Sequence, residues 1–150
     1  MKIAEALIER ADIQKRISQL RDRLSNNALV QEGEKPSEDP IELMEELDRL
    51  EKRLCELVAS INLTNANTLT DGITVTEMLA LRDCLSQKLS ILRDFLNSAS
   101  SKWMRSRGSE IVVKSTVNVS ALQKQIDELS KQLRELDTQI QGINWTTDLI

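Results

Sequence analysis

Residues 119–142 read VSALQKQIDELSKQLRELDTQIQG. Leu122, Ile126, Leu129, Leu133, Leu136 and Ile140 stand four and three residues apart, and Ile143 extends the row. Charged and amide side chains fill the positions between them. This alternation keeps an apolar row on one face of a helix and is the period of a coiled-coil seam. Asn118 precedes the row as an N-cap, with Val117 and Leu122 as its hydrophobic staple, and Ser120 with Gln123 forms a competing capping box. The pattern predicts a helix over about 119–142, with Gly142 as its stop.

The same signature recurs upstream. Over about 2–27 two rows interleave: Ile3, Arg10, Ile17, Leu24 and Ala6, Ile13, Leu20, Asn27. Arg10 breaks the first row, which suits an edge position or an acidic partner. Over about 40–64 the seam is Leu43, Leu47, Leu50, Leu54, Leu57, Ile61. Asp39 and Pro40 supply its N-cap and first helical residue. A third helix over about 75–99 follows the Asp71-Gly72 turn signal. Thr74 with Glu77 forms a capping box there, stapled by Ile73 and Met78. Its apolar set, which includes Leu81, Leu85, Leu89, Leu92, Phe95 and Leu96, is wider than one seam and predicts a helix with two neighbours.

Between the helices the chain is polar at 31–38 and broken in pattern at 100–118. In the second break Ile111, Val113 and Val117 alternate with polar residues as a half-buried strand does. The expected fold is therefore all-α: a single domain over 1–150, an elongated antiparallel four-helix bundle of coiled-coil-like seams, with a short β-arm or hairpin over about 104–118 between helices three and four. An exposed β-arm pairs readily with another chain.

Composition narrows the function. The 150 residues include no histidine, no tyrosine, one phenylalanine and two tryptophans, and 24 acids against 20 bases leave a net charge of −4. An acidic chain is a poor general binder of nucleic acid or anionic membrane. Without histidine the usual base of a Ser or Cys nucleophile is missing, as are the Glu-x-x-His motifs of a di-iron bundle. Four scattered glycines form no phosphate loop. Glu45 and Glu46 read as a charged helix start that complements the macrodipole. The expectation is a protein that is not an enzyme and holds no metal or cofactor.

Cys55 and Cys84 lie within helices and are expected as small core or boundary residues in a reducing compartment. No apolar run approaches the roughly 20 residues of a membrane span, and no secretory signal is visible. The expected location is the cytoplasm, without stable membrane insertion.

Seven residues stand out as candidates for interaction. Lys102, Arg105 and Arg107 surround Trp103, a basic-aromatic patch able to hold phosphate, a lipid headgroup or nucleic acid, or else a loop pinned by a packed tryptophan. Ile111 and Val113 belong to the arm. Trp145 lies close to the terminus, where chains fray unless docked, so it predicts a tail packed on the bundle or on a neighbouring subunit.

Several motifs carry a resemblance. Lys2-Ile3-Ala4-Glu5-Ala6-Leu7 with Arg10-Ala11-Asp12-Ile13-Gln14-Lys15-Arg16-Ile17 is similar to the opening of the DIP1984 family of bacterial proteins. So are Val30-Gln31-Glu32-Gly33-Glu34 with Glu38-Asp39-Pro40, the Asn62 to Asn65 turn, Ser109-Glu110-Ile111, and the closing Asn144-Trp145-Thr146-Thr147-Asp148-Leu149. The resemblance implies a bacterial source and supplies no active site. Many members carry the label septicolysin, which implies haemolysis or pore formation. The expectation is a non-enzymatic helical assembly or interaction protein, homo-oligomeric through its seams and arm, with a membrane-active cytolysin and a weak phosphate or nucleic-acid binder as alternatives.

Overall fold

The spacing that predicts four helices is realised in four helices. A computed structural model describes residues 1–101 and 112–150. The elements are α1 (Ile3–Asn26), α2 (Pro40–Asn67), β1 (Leu69–Thr70), β2 (Ile73–Thr74), α3 (Val75–Ala99) and α4 (Val119–Thr146). The fold is all-α, with one small antiparallel sheet among the described residues. The chain divides into two units: Met1–Thr74 with Gly142–Ile150, and Val75–Gln141.

In the first unit α1 and α2 run antiparallel. Their core is Ala6, Ile13 and Leu20 against Leu43, Leu50, Leu57 and Ile61, with Leu7, Ile17, Leu24, Leu47 and Leu54 at its margins. The second of the two rows read in α1 is thus the central one. Of the first row Ile3 is fully buried, Ile17 and Leu24 are marginal, and Arg10 is half-buried, with an Nε that has no hydrogen-bond partner among the described residues. Charges bridge the margins: Arg53 donates to both carboxylate oxygens of Glu9 at 2.7 and 2.9 Å, and Arg16 reaches Glu46 at 3.3 Å. Asp39 caps α2 by accepting from the Ile41 N–H at 2.9 Å.

α2 runs past the expected end to Asn67. The polar residues Thr64, Asn67 and Thr68 turn their side chains back onto carbonyls one turn earlier, Thr64 Oγ1 onto Ser60 at 2.7 Å and Asn67 Nδ2 onto Leu63 at 2.8 Å. Their local bonding therefore works with the helix rather than against it. The sheet follows at once. Leu69 pairs with Thr74 and Thr70 with Ile73 across a two-residue loop. Asp71 and Gly72 both take positive φ, 51° and 86°, as a type I′ hairpin turn requires.

This is where the structure departs from the expected β-arm. The strand pair lies between α2 and α3, not between α3 and α4. Residues 112–118 carry no strand, and residues 102–111 of the predicted arm lie outside the described residues.

The first unit also holds the C-terminal residues. Gly142 does not stop α4, because a helical glycine is tolerated and the Thr146 hydroxyl donates back to its carbonyl at 2.9 Å. The helix ends where the main chain begins to pair with the N-terminus. Ile3 N–H donates to Thr147 O at 3.1 Å and Leu149 N–H to Met1 O at 2.9 Å. Lys2 Nζ meets Asp148 at 2.9 Å. Leu149 packs on the α1–α2 core, and Ile150 N–H donates to Thr64 Oγ1 at 3.0 Å.

In the second unit α3 and α4 also pair antiparallel. Leu89, Leu122 and Ile126 form the buried centre, flanked by Leu85, Leu92, Leu96, Val117, Leu129 and Leu133. Arg93 donates to Ser130 Oγ at 2.9 Å, and Arg82 lies 4.0 Å from Asp137. Asn118 caps α4, its Oδ1 accepting from Ala121 N–H at 3.0 Å.

Candidate functional site

Of the seven candidate residues, Lys102, Trp103, Arg105, Arg107 and Ile111 lie outside the described residues. The structure places the other two. Val113 is exposed rather than half-buried as in a strand. It lines a cavity of about 240 Å³ beside the end of α3, with Phe95, Ser98 and Ser115. Trp145 is 57% exposed. The tail is docked, as its tryptophan suggested, but by main-chain pairing, Lys2–Asp148 and Leu149, while the indole faces outward. The two candidates fall in different units.

Both cysteines are free and exposed, not core or boundary residues. Each occupies an outward helix face, where a thiol is open to reagents.

Two surface features emerge that the candidates missed. The first is polar. Where α1 ends and α2 begins, Glu38, Asp39, Glu42, Glu45 and Glu46 share an open cleft with Arg23 and Arg49. Arg23 Nε donates to both oxygens of Glu38 at 3.2 and 3.0 Å. That hydrogen bonding holds the Glu38 carboxyl below the usual carboxylate range and the guanidinium above its own. Arg23 also lies 3.7 Å from Glu46, so part of the charge is already neutralised in place. Glu38 N–H donates to Asn27 Oδ1 at 3.0 Å, which ties the loop to the end of α1. The arrangement closes a helix pair and acidifies a helix start.

The second feature is apolar. On α3, Leu81, Cys84, Lys88, Ile91 and Phe95 follow the same three-and-four spacing as a seam. At about 100° per residue this row lies roughly 90° around the helix from the row that faces α4. Leu81, Ile91 and Phe95 are 54, 60 and 42% exposed. Leu85 and Leu92 stand between the two rows and are half-buried. Arg82 and Arg93, which reach α4, lie on the other side. The broad apolar arc of α3 was the sequence signal, and α4 covers only one edge of it. Beside the exposed row α4 presents Gln125 and Gln132, both exposed and uncharged. Among the described residues the charge on this row is Lys88 alone.

No described helix is long and apolar enough to cross a membrane. Among the comparisons with known proteins a solved structure agrees on the fold, and none carries an activity. The sequence profile of a family of unknown function, DUF6847, matches residues 10–149. The chain is similar to a functionally unknown conserved protein from Corynebacterium diphtheriae, known by its crystal structure. The identity is 38%, the TM-score is 0.93, and the match covers 100% of this chain and 99% of that one. No curated protein matches.

Proposed function

We propose that this chain, which belongs to the DUF6847 family of unknown function, is a non-enzymatic helical assembly protein that works as a homo-oligomer in the cytoplasm. The observation that carries the reading is the exposed apolar row of α3, Leu81, Ile91 and Phe95 on a well-formed helix. Isolated exposed apolar residues are ordinary, but apolar residues recurring at seam spacing along one face, here with Lys88 among them, are what helices bury against another helix. The free, exposed thiols of Cys55 and Cys84 suit a reducing compartment. The lack of histidine supports a role without acid–base or nucleophilic chemistry at neutral pH. The DIP1984 likeness of the terminal motifs is part of the same reading.

Light scattering on the protein eluting from a size-exclusion column tests it. The expected result is a sharp peak at a whole multiple of the chain mass. A monomer at every concentration sinks self-assembly. The same preparation is expected to leave dye-loaded vesicles of neutral and anionic lipid intact; leakage would favour the membrane-active role that the septicolysin label implies.

A further inference from the structure

We infer that the outer row of α3 around Ile91, with Cys84, Lys88 and Phe95, docks on the same row of a second copy of this chain in antiparallel register. The inference rests on the assembly reading and gives it an address.

The α3–α4 pair is a single layer of two helices. Leu89 on α3 and Leu122 and Ile126 on α4 form the buried centre of its seam, Val75 and Met78 are buried at the start of α3, and Leu81, Ile91 and Phe95 on the outer row stay exposed, so part of the wide apolar arc of α3 is left uncovered. A second identical layer supplies the missing helices and completes a four-helix packing. A two-fold arrangement needs the face to complement itself; about Ile91 the facing stripe is Cys84, Lys88, Ile91, Phe95 and Ser98, all exposed, which covers about 21 Å of helix.

Charge decides between a second copy and an unrelated apolar helix, and also fixes the register. Lys88 stands within the row, while Asp83 and Asp94 flank it on the side away from α4, and all three are exposed. An unrelated apolar helix would bury the Lys88 ammonium against no acid, which is costly. Centring two antiparallel rows on Lys88 would set lysine against lysine. Centring them on Ile91 sets Lys88 opposite Asp94 of the partner subunit, twice over by symmetry, with Ile91 packed at the axis. The exposed Gln125 and Gln132 of α4 border this contact without adding charge, as the core of an interface favours.

Four proteins test it by native mass: the unmodified chain, Ile91→Glu, Lys88→Glu, and Lys88→Glu combined with Asp94→Lys. All changes are at exposed positions, and circular dichroism checks that each variant remains helical. Expected are an unmodified oligomer, a mass reduced two-fold or more by each single change, and recovery in the charge-swapped double variant. The native thiols give a second reading: Cys84 should react more slowly with a maleimide than Cys55 in the oligomer, and equally fast in Ile91→Glu. An oligomer untouched by the single changes, with Cys84 as reactive as Cys55, overturns this face while leaving assembly intact. Loss of mass without recovery in the double variant overturns the antiparallel register. A monomeric unmodified chain overturns both this inference and the assembly reading.

Discussion

Leu20 is fully buried at the centre of the α1–α2 core, with Ala6 and Ile13 on its own helix and Leu43, Leu50 and Leu57 opposite. Truncating it removes apolar burial and leaves a cavity that a two-helix seam closes only in part. Leu20→Ala is therefore expected to destabilise the protein by about 2–5 kcal/mol, read as a shift in the urea midpoint. Leu24, one turn on and marginal to the same core, should cost less on the same change. Equal costs would mean that the two rows of α1 are equivalent, against the burial seen. Both rows are visible in the sequence, and their ranking is not, because spacing defines a row without saying which partner helix it meets. The same limit explains the cysteines: a small, weakly polar residue in a helix suits a core by type, and only packing shows that Cys55 and Cys84 point outward.

At the scale of elements, the α1–α2 pair is tied along its margins by Arg53–Glu9, Arg16–Glu46 and Arg23–Glu38. The hydrogen bonds from Arg53 lower the Glu9 carboxyl below its ordinary value, as those from Arg23 lower Glu38. A carboxylate with a depressed folded-state pKa contributes stability above its unfolded pKa of about 4.3, and loses it as pH falls through the folded value. The helix pair should thus weaken in acid and change little between neutral pH and the upper edge of that range. Glu9→Gln should flatten part of the acid loss, seen in melting temperature against pH. Identical profiles for the variant and the unmodified chain would remove Glu9 from the account. The elements were legible where many residues repeat one rule: four seams, and the caps at Asp39 and Asn118. They were not legible where an element is short. Two-residue strands such as Leu69–Thr70 and Ile73–Thr74 show no alternation, so Asp71-Gly72 announced a turn without its hairpin. Conversely, the alternation of Val113 and Val117 suggested a strand, yet 112–118 carries none.

At the scale of the molecule, the two ends of the described chain hold each other. Four main-chain and side-chain bonds tie residues 146–149 to residues 1–3: Ile3 N–H to Thr147 O, Leu149 N–H to Met1 O, Lys2 Nζ to Thr146 O, and Lys2 to Asp148. Ile150 then reaches Thr64 near the end of α2. The Asn-Trp-Thr-Thr-Asp-Leu motif is therefore a clasp on the first unit rather than a free peptide, and its carrying residues are the polar ones and Leu149 rather than Trp145. Removing residues 147–150 should expose the start of α1 and the Thr64 hydroxyl. The expected outcome is faster amide hydrogen exchange at the start of α1 and near residue 64, with exchange in the middle of the α3–α4 pair unchanged. Trp145→Ala, by contrast, should leave exchange at those sites as it is, because the indole faces solvent. If the tryptophan change loosened α1 as much as the truncation does, the docking would depend on the ring after all, and the main-chain pairing would be its consequence.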